Sequence, residues 1–104
     1  MNTLRLKSSV RFYNLNYPAI TVFKAVLDVW AELAPGTNPT LTSANDSRHM
    51  TGSKHYDDLG WDFRIRNLVG PTLQLARQRL TEILGTNYDV ILEKDHLHVE
   101  YDEK

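Results

Sequence analysis

Residues 19–34 carry apolar side chains on two adjacent faces of a helix and leave only a narrow polar stripe. The apolar faces consist of Ile20, Phe23, Leu27, Trp30 and Ala34, and of Val22, Val26, Val29 and Leu33. The stripe consists of Lys24, Asp28 and Glu32, which follow one another at i,i+4 spacing. This pattern predicts a helix that is mostly buried, with one edge in water, and that ends at Pro35-Gly36.

The remaining chain alternates between strand-like and loop-like segments around a second helix. That helix opens at Gly70-Pro71, has an apolar stripe at i,i+3/i+4 spacing and stops at Gly85. The predicted strands are 39–43, 61–65, 88–92 and 96–101, with a turn at 93–95, a long loop at 44–60, and a strand or arm within 1–13. The order predicts an α+β fold in which two main helices pack on a small antiparallel sheet.

Length and composition restrict the classes of protein to consider. The 104 residues, 41% of them apolar, predict a single domain spanning 1–104. No cysteine is present, so any metal site must use His, Asp and Glu. The net charge of −1 argues against a nucleic-acid partner, although residues 1–27 contain four cations and no acid. No apolar stretch predicts a signal peptide or membrane insertion, so we expect synthesis in the cytoplasm.

Histidines and carboxylates are concentrated in two short segments. One is Asp95-His96-Leu97-His98, and the other is His55 followed seven residues later by Asp62. Two imidazoles and a carboxylate can hold one zinc with a coordination position left open, and a second carboxylate nearby can act as a base. His96 and His98 share one face of a strand, as do Asp62 and Arg64. The alternative is that these are structural or solvated polar positions.

The segment from Ser53 to Asp62 resembles the Ser-x-His-x-x-Gly-x-Ala-x-Asp motif of the zinc D-Ala-D-Ala peptidases. That family comprises D-Ala-D-Ala carboxypeptidases and dipeptidases and the L-alanyl-D-glutamate endopeptidases of phage lysins. The segment Asp95–Glu100 resembles the family's closing Asp/Glu-x-x-His, so the resemblance covers roughly residues 39–102. It implies the hedgehog/DD-peptidase fold, a zinc cofactor and peptidoglycan stem peptides as substrate.

Carried over by position, the resemblance also assigns roles to single residues. The metal ligands would be His55, Asp62 and His98, and Asp95 would be the general base. Arg48 is the candidate for stabilising the carbonyl oxygen, while Ser53, His49 and His96 are candidates for substrate binding. Glu100 shares the face of His98 and could support it from outside the metal shell.

The chain departs from the family motif at two positions, because Asp58 replaces its Gly and Gly60 its Ala. An acid at position 58 could narrow the substrate cleft that the resemblance implies, or make it more negative. The leading hypothesis is nevertheless a phage-type zinc peptidase of the cell wall, released by a holin. The alternatives are a non-catalytic zinc- or wall-peptide-binding protein of the same fold, such as a phage structural protein, and a protein whose histidines bind no metal. The oligomeric state is left open.

Overall fold

The computed structural model describes residues 2–10, 16–44 and 59–102. Two helices and five strands make up this part of the chain, which confirms the α+β prediction. The helices are α1 (Tyr17–Leu33) and α2 (Gly70–Leu84). The strands are β1 (Arg5–Leu6), β2 (Thr40–Ser43), β3 (Gly60–Arg64), β4 (Tyr88–Leu92) and β5 (His96–Tyr101).

The five strands form one sheet in the order β1-β2-β3-β5-β4. The pairs β2–β3, β3–β5 and β4–β5 are antiparallel, but β1 pairs with β2 in parallel. The prediction of an antiparallel sheet is therefore corrected to a mixed sheet. The reason is the connection between β1 and β2, which runs through α1. A helical crossover returns the chain to the same edge in the same direction, as a parallel pair requires.

The two faces of the sheet have opposite character at its centre. Phe63 pairs with Leu97, and Trp61 pairs with Val99, and all four side chains are buried in the core. The residues between them, Asp62 and His98, pair with each other on the opposite face because successive side chains of a strand alternate. The candidate site residues therefore lie on the face that points away from the hydrophobic core.

Helix α1 covers the apolar face of the sheet. Its N-terminus is capped by Asn16, whose side-chain oxygen accepts a hydrogen bond from the backbone N–H of Ala19 at 3.0 Å. Phe23 meets the rings of both Trp61 and Phe63 edge-on, with centroids 6.3 Å apart in each case. Ile20, predicted to lie on the buried side of the helix, is 53% exposed, and the buried positions of the first turns belong to Ala19, Val22 and Ala25.

Helix α2 and the C-terminal hairpin have the boundaries that their turn residues predict. The helix starts at Gly70-Pro71, buries Ala76 and Leu80, and stops before Gly85, which adopts a φ of +84°. Strands β4 and β5 are joined by residues 93–95, where the Glu93 N–H donates to the His96 carbonyl at 2.9 Å. Within the described ranges, no helix combines the length and the apolar character needed to cross a membrane.

Candidate metal centre

Asp62 and His98 form the centre of the site. They are direct partners in the β3–β5 pairing, and Asp62 Oδ1 lies 2.7 Å from His98 Nδ1. Their side chains are only 11% and 12% exposed, so this polar pair is largely shielded from water. Residues on two adjacent strands of one sheet hold their relative positions tightly, which suits a site with strict geometric demands.

A register shift between β2 and β3 places residues of β2 beside Asp62, on the side of β3 away from His98. Leu41 pairs with Phe63, whereas Ser43 pairs with Asp62, so β2 contains one extra residue at Thr42. The Thr42 hydroxyl donates to the backbone carbonyl of Asp62 at 3.3 Å. The irregularity brings the buried Ser43 directly opposite Asp62, whereas strict alternation from Leu41 would have paired Thr42 with it.

His98 is held between two carboxylates, because its second ring nitrogen, Nε2, lies 2.8 Å from Glu100 Oε1. A carboxylate accepts hydrogen bonds, so the protonated imidazolium form of His98, in which both ring nitrogens donate, satisfies both contacts. Burial disfavours this charged form, but the hydrogen bonds and charges of Asp62 and Glu100 outweigh it, and the pKa of His98 is raised above its ordinary value.

His96 connects this pair to the hairpin turn. Its Nδ1 lies 2.6 Å from Asp95 Oδ1, and its Nε2 lies 3.6 Å from Asp62 Oδ1. The hydrogen bond from His96, together with its charge, lowers the pKa of the Asp95 carboxyl, although that side chain is 84% exposed. Asp95, His96, Asp62, His98 and Glu100 therefore form one continuous polar cluster across β3 and β5.

Asp62 and His98 offer two ligand atoms that a zinc ion could use. Two ligand atoms bound to a tetrahedral zinc at about 2.0–2.1 Å lie about 3.3 Å apart. The 2.7 Å between Asp62 Oδ1 and His98 Nδ1 needs to widen by only about 0.6 Å to reach that value, which small side-chain rotations achieve. Glu100 then occupies the position of the outer carboxylate that commonly orients a metal-bound histidine.

Only part of the predicted site lies in the described ranges. Asp62 and His98, the predicted ligands, are brought together, and Asp95 and His96 adjoin them. The four other candidates lie outside the described residues: the ligand His55, the arginine Arg48, and the substrate-binding candidates His49 and Ser53. The third metal ligand therefore remains a prediction from sequence.

A second group of carboxylates lies on the same face of the sheet. Asp89, Glu100 and Asp102 each place one oxygen within 4.8 Å of the others, and in the described parts of the chain no other set of three His, Asp or Glu residues does so. Asp89 pairs directly with Glu100 across β4–β5. Sequence reasoning missed this group because its members come together only through strand register. Clustered acids with no histidine are a weak and unspecific indication of a metal.

Asp95 and His96 also line an open cleft of about 650 Å³ at one end of the sheet. Arg64, the pairing partner of His96, lines the same cleft and lies on the face of Asp62. The polar cluster thus borders a space large enough for part of a peptide.

No protein-family model matches the sequence, and no curated protein matches it either. The function is therefore inferred from the chemistry of the site and its cleft, together with the resemblance of residues 53–62 and 95–100 to the zinc D-Ala-D-Ala peptidases.

Proposed function

We propose that this protein is a zinc-dependent metallopeptidase that hydrolyses peptide bonds in peptidoglycan stem peptides, with the hedgehog/DD-peptidase fold. The observation that carries the proposal is the Asp62–His98 pair, joined at 2.7 Å on adjacent strands and backed by Glu100. The substrate class and the fold family rest on the resemblance of residues 53–62 and 95–100 to the zinc D-Ala-D-Ala peptidases.

In this proposal Asp62 and His98, with His55, hold the metal. Glu100 accepts a hydrogen bond from His98 Nε2, which fixes the ring and leaves Nδ1 facing Asp62 as the ligand atom. Bound zinc would polarise the scissile carbonyl and lower the pKa of its water to about 7. The burial of Asp62 strengthens the attraction of its carboxylate for a cation once His98 is neutral, because little water screens the charge.

Asp95 is the proposed general base. Its carboxylate is ionised at neutral pH, so it can accept the proton of the attacking water and pass it to the leaving amine. The hydrogen bond from His96 lowers the pKa of Asp95 and so weakens it as a base, and the zinc would compensate by acidifying the water. His96 orients Asp95 through the 2.6 Å contact, and both residues line the cleft that the substrate would enter. The exposure of Asp95 leaves its side chain accessible to a bound peptide.

Metal content and hydrolysis together test the proposal. Purified protein should contain about one zinc per chain, and His98→Ala should contain little. Asp95→Asn should retain zinc and lose hydrolysis of muropeptides, because only the proton acceptor is removed. Absence of zinc in the wild type, even after it is added back, would refute the proposal.

The rival is a protein of the same fold that binds zinc or wall peptide without cleaving. The substitutions at Asp58 and Gly60 motivate it, since both alter the motif without removing a predicted ligand. Stoichiometric zinc with no turnover of D,D- or L-Ala-D-Glu-linked muropeptides would favour this rival over the enzyme.

A further inference from the structure

The cleft beside the polar cluster is rich in positive charge. Four cations line it, and they come from four different places in the chain. Lys7 follows β1, Arg64 ends β3, Arg66 lies in the connection to α2, and Lys94 lies in the hairpin turn. Arg64 is half-buried, whereas the other three are exposed. Separate segments of the fold thus converge to place like charges around one space.

The four cleft cations share one concave space and have no carboxylate partner among the described residues. Outside the cleft, Arg5 and Arg77 also lack one, whereas two other cations have one. Arg79 pairs with Glu32 at 3.3 Å and with Glu82 at 3.6 Å, and Lys24 pairs with Asp28 at 3.3 Å. Within the described ranges, none of the four cleft cations forms an ion pair. Asp95, the one acid among the described residues that line the cleft, is instead bonded to His96. Unpaired like charges in a concave site create a positive potential that attracts anions.

The cleft also has an apolar wall. Ile65, Leu68 and Leu73 line it together with the cations. A ligand that suits both surfaces combines carbon-rich segments with negative groups, as a short acidic peptide does. A chain of phosphates matches only the charge.

We propose that this basic cleft binds free carboxylates of the substrate peptide and thereby selects acidic, non-amidated stem peptides. This inference rests on the proposed function, because Asp95 and His96 border the cleft and also belong to the polar cluster. A carboxylate held by Arg64, next to His96, would lie at the edge of the proposed reaction centre. Amidation of the free glutamate carboxyl of the stem peptide would remove that attraction.

The test compares two peptides that differ in one charge. Binding of the tripeptide L-Ala-D-Glu-L-Lys as the free acid and with its glutamate carboxyl amidated is measured on the zinc-loaded Asp95→Asn protein, to prevent turnover. We expect amidation to weaken binding about three- to tenfold, a range typical of single charge contacts that are partly exposed. Raising the salt to 1 M, where the screening length is about 3 Å, should reduce this ratio.

Substitutions of the cleft cations test whether they cause the difference in binding between the two peptides. Arg64→Gln, and separately the combined Lys7→Gln, Arg66→Gln and Lys94→Gln protein, should bring the ratio between the two peptides close to one. The second variant changes only exposed side chains, so it stays informative if Arg64→Gln folds poorly. The matched controls Arg5→Gln and Arg77→Gln, which remove cations outside the cleft, should leave the ratio unchanged.

The outcomes separate this inference from the proposed function. Hydrolysis by the wild type together with equal binding of the two peptides would overturn the inference and leave the peptidase intact. Charge-dependent binding without hydrolysis by the wild type would support the cleft and count against the enzyme. If inorganic polyphosphate bound more tightly than the acidic tripeptide, with the same sensitivity to the cleft variants, selection of carboxylates would be wrong.

Discussion

Thermal stability with and without zinc distinguishes the two candidate metal sites of this sheet. If zinc binds the folded chain at Asp62 and His98, zinc at about 100 times its Kd should stabilise the protein by about 2.7 kcal/mol. For a domain of this size, 1 kcal/mol corresponds to about 4 °C in Tm, so the expected rise is about 10 °C. Asp62→Asn should remove most of this rise in Tm, because a neutral amide replaces the charged carboxylate ligand.

Asp62→Asn also lowers the stability of the metal-free protein, and this loss must be measured separately. Asp62 contacts the imidazolium of His98 at 2.7 Å in a largely buried position. Loss of one charge-assisted hydrogen bond of this kind costs about 1.5–3 kcal/mol. The metal-free variant should therefore melt about 6–12 °C below the wild type. The informative quantity is the shift that zinc produces in each protein, not the absolute Tm.

Asp89→Asn is the matched control. It makes the same chemical change on β4, which is separated from β3 by β5. It disrupts the group of Asp89, Glu100 and Asp102 and leaves Asp62 and His98 unchanged. Differential scanning fluorimetry with zinc and with chelator should show the full rise in this variant. If Asp89→Asn lost the rise and Asp62→Asn kept it, the metal would belong to the carboxylate group and the reasoning about His98 would be refuted.

Three further predictions follow from the site and the core. In metal-free protein, protonated His98 stabilises the fold fully below its unfolded pKa of about 6.5, and this stabilisation is lost as pH rises through the raised folded pKa. Denaturant unfolding across this pH range should show the free energy of unfolding falling, and the fall should be smaller in Glu100→Gln. Asp95→Asn should lower the rate of muropeptide hydrolysis at least about 100-fold with zinc retained, and an unchanged rate would contradict its role as base. Phe63→Ala should cost about 3–5 kcal/mol in unfolding experiments, because its ring is fully buried, and a loss below about 1 kcal/mol would contradict the packing described.

Local signals predicted the order and boundaries of the secondary structure well. The hairpin turn at 93–95 and the strands beside it occur where they were predicted, as does the end of α2 at Gly85. Glycine, proline and alternating apolar residues act on their immediate neighbours, so sequence alone reveals them. The parallel pairing of Arg5 with Thr40 depends on a long crossover, and the exposure of Ile20 depends on how α1 is oriented on the sheet. Neither is encoded locally.

The candidate site was predictable to the extent that it follows from strand alternation. The common face of His96 and His98 and the support from Glu100 required only a period of two. The contact between Asp62 and His98 required the register of β3 against β5, which the resemblance to known zinc peptidases implied and spacing did not. Lys7 and Lys94 were missed as parts of one cleft, because they are distant in the chain and meet only through the fold.

In the proposed zinc site, the two carboxylates around His98 would stabilise either a proton or a metal ion. In the metal-free chain they stabilise the imidazolium, which is why burial does not lower its pKa. A metal ligand must be a neutral imidazole, so His98 has to release the Nδ1 proton before that atom can bind. Once the proton has left, Asp62 would contribute its negative charge to the metal, and Glu100 would still accept a hydrogen bond from Nε2. In this proposal the two acids would face a positive charge in both states, and acidification should favour the proton over the metal.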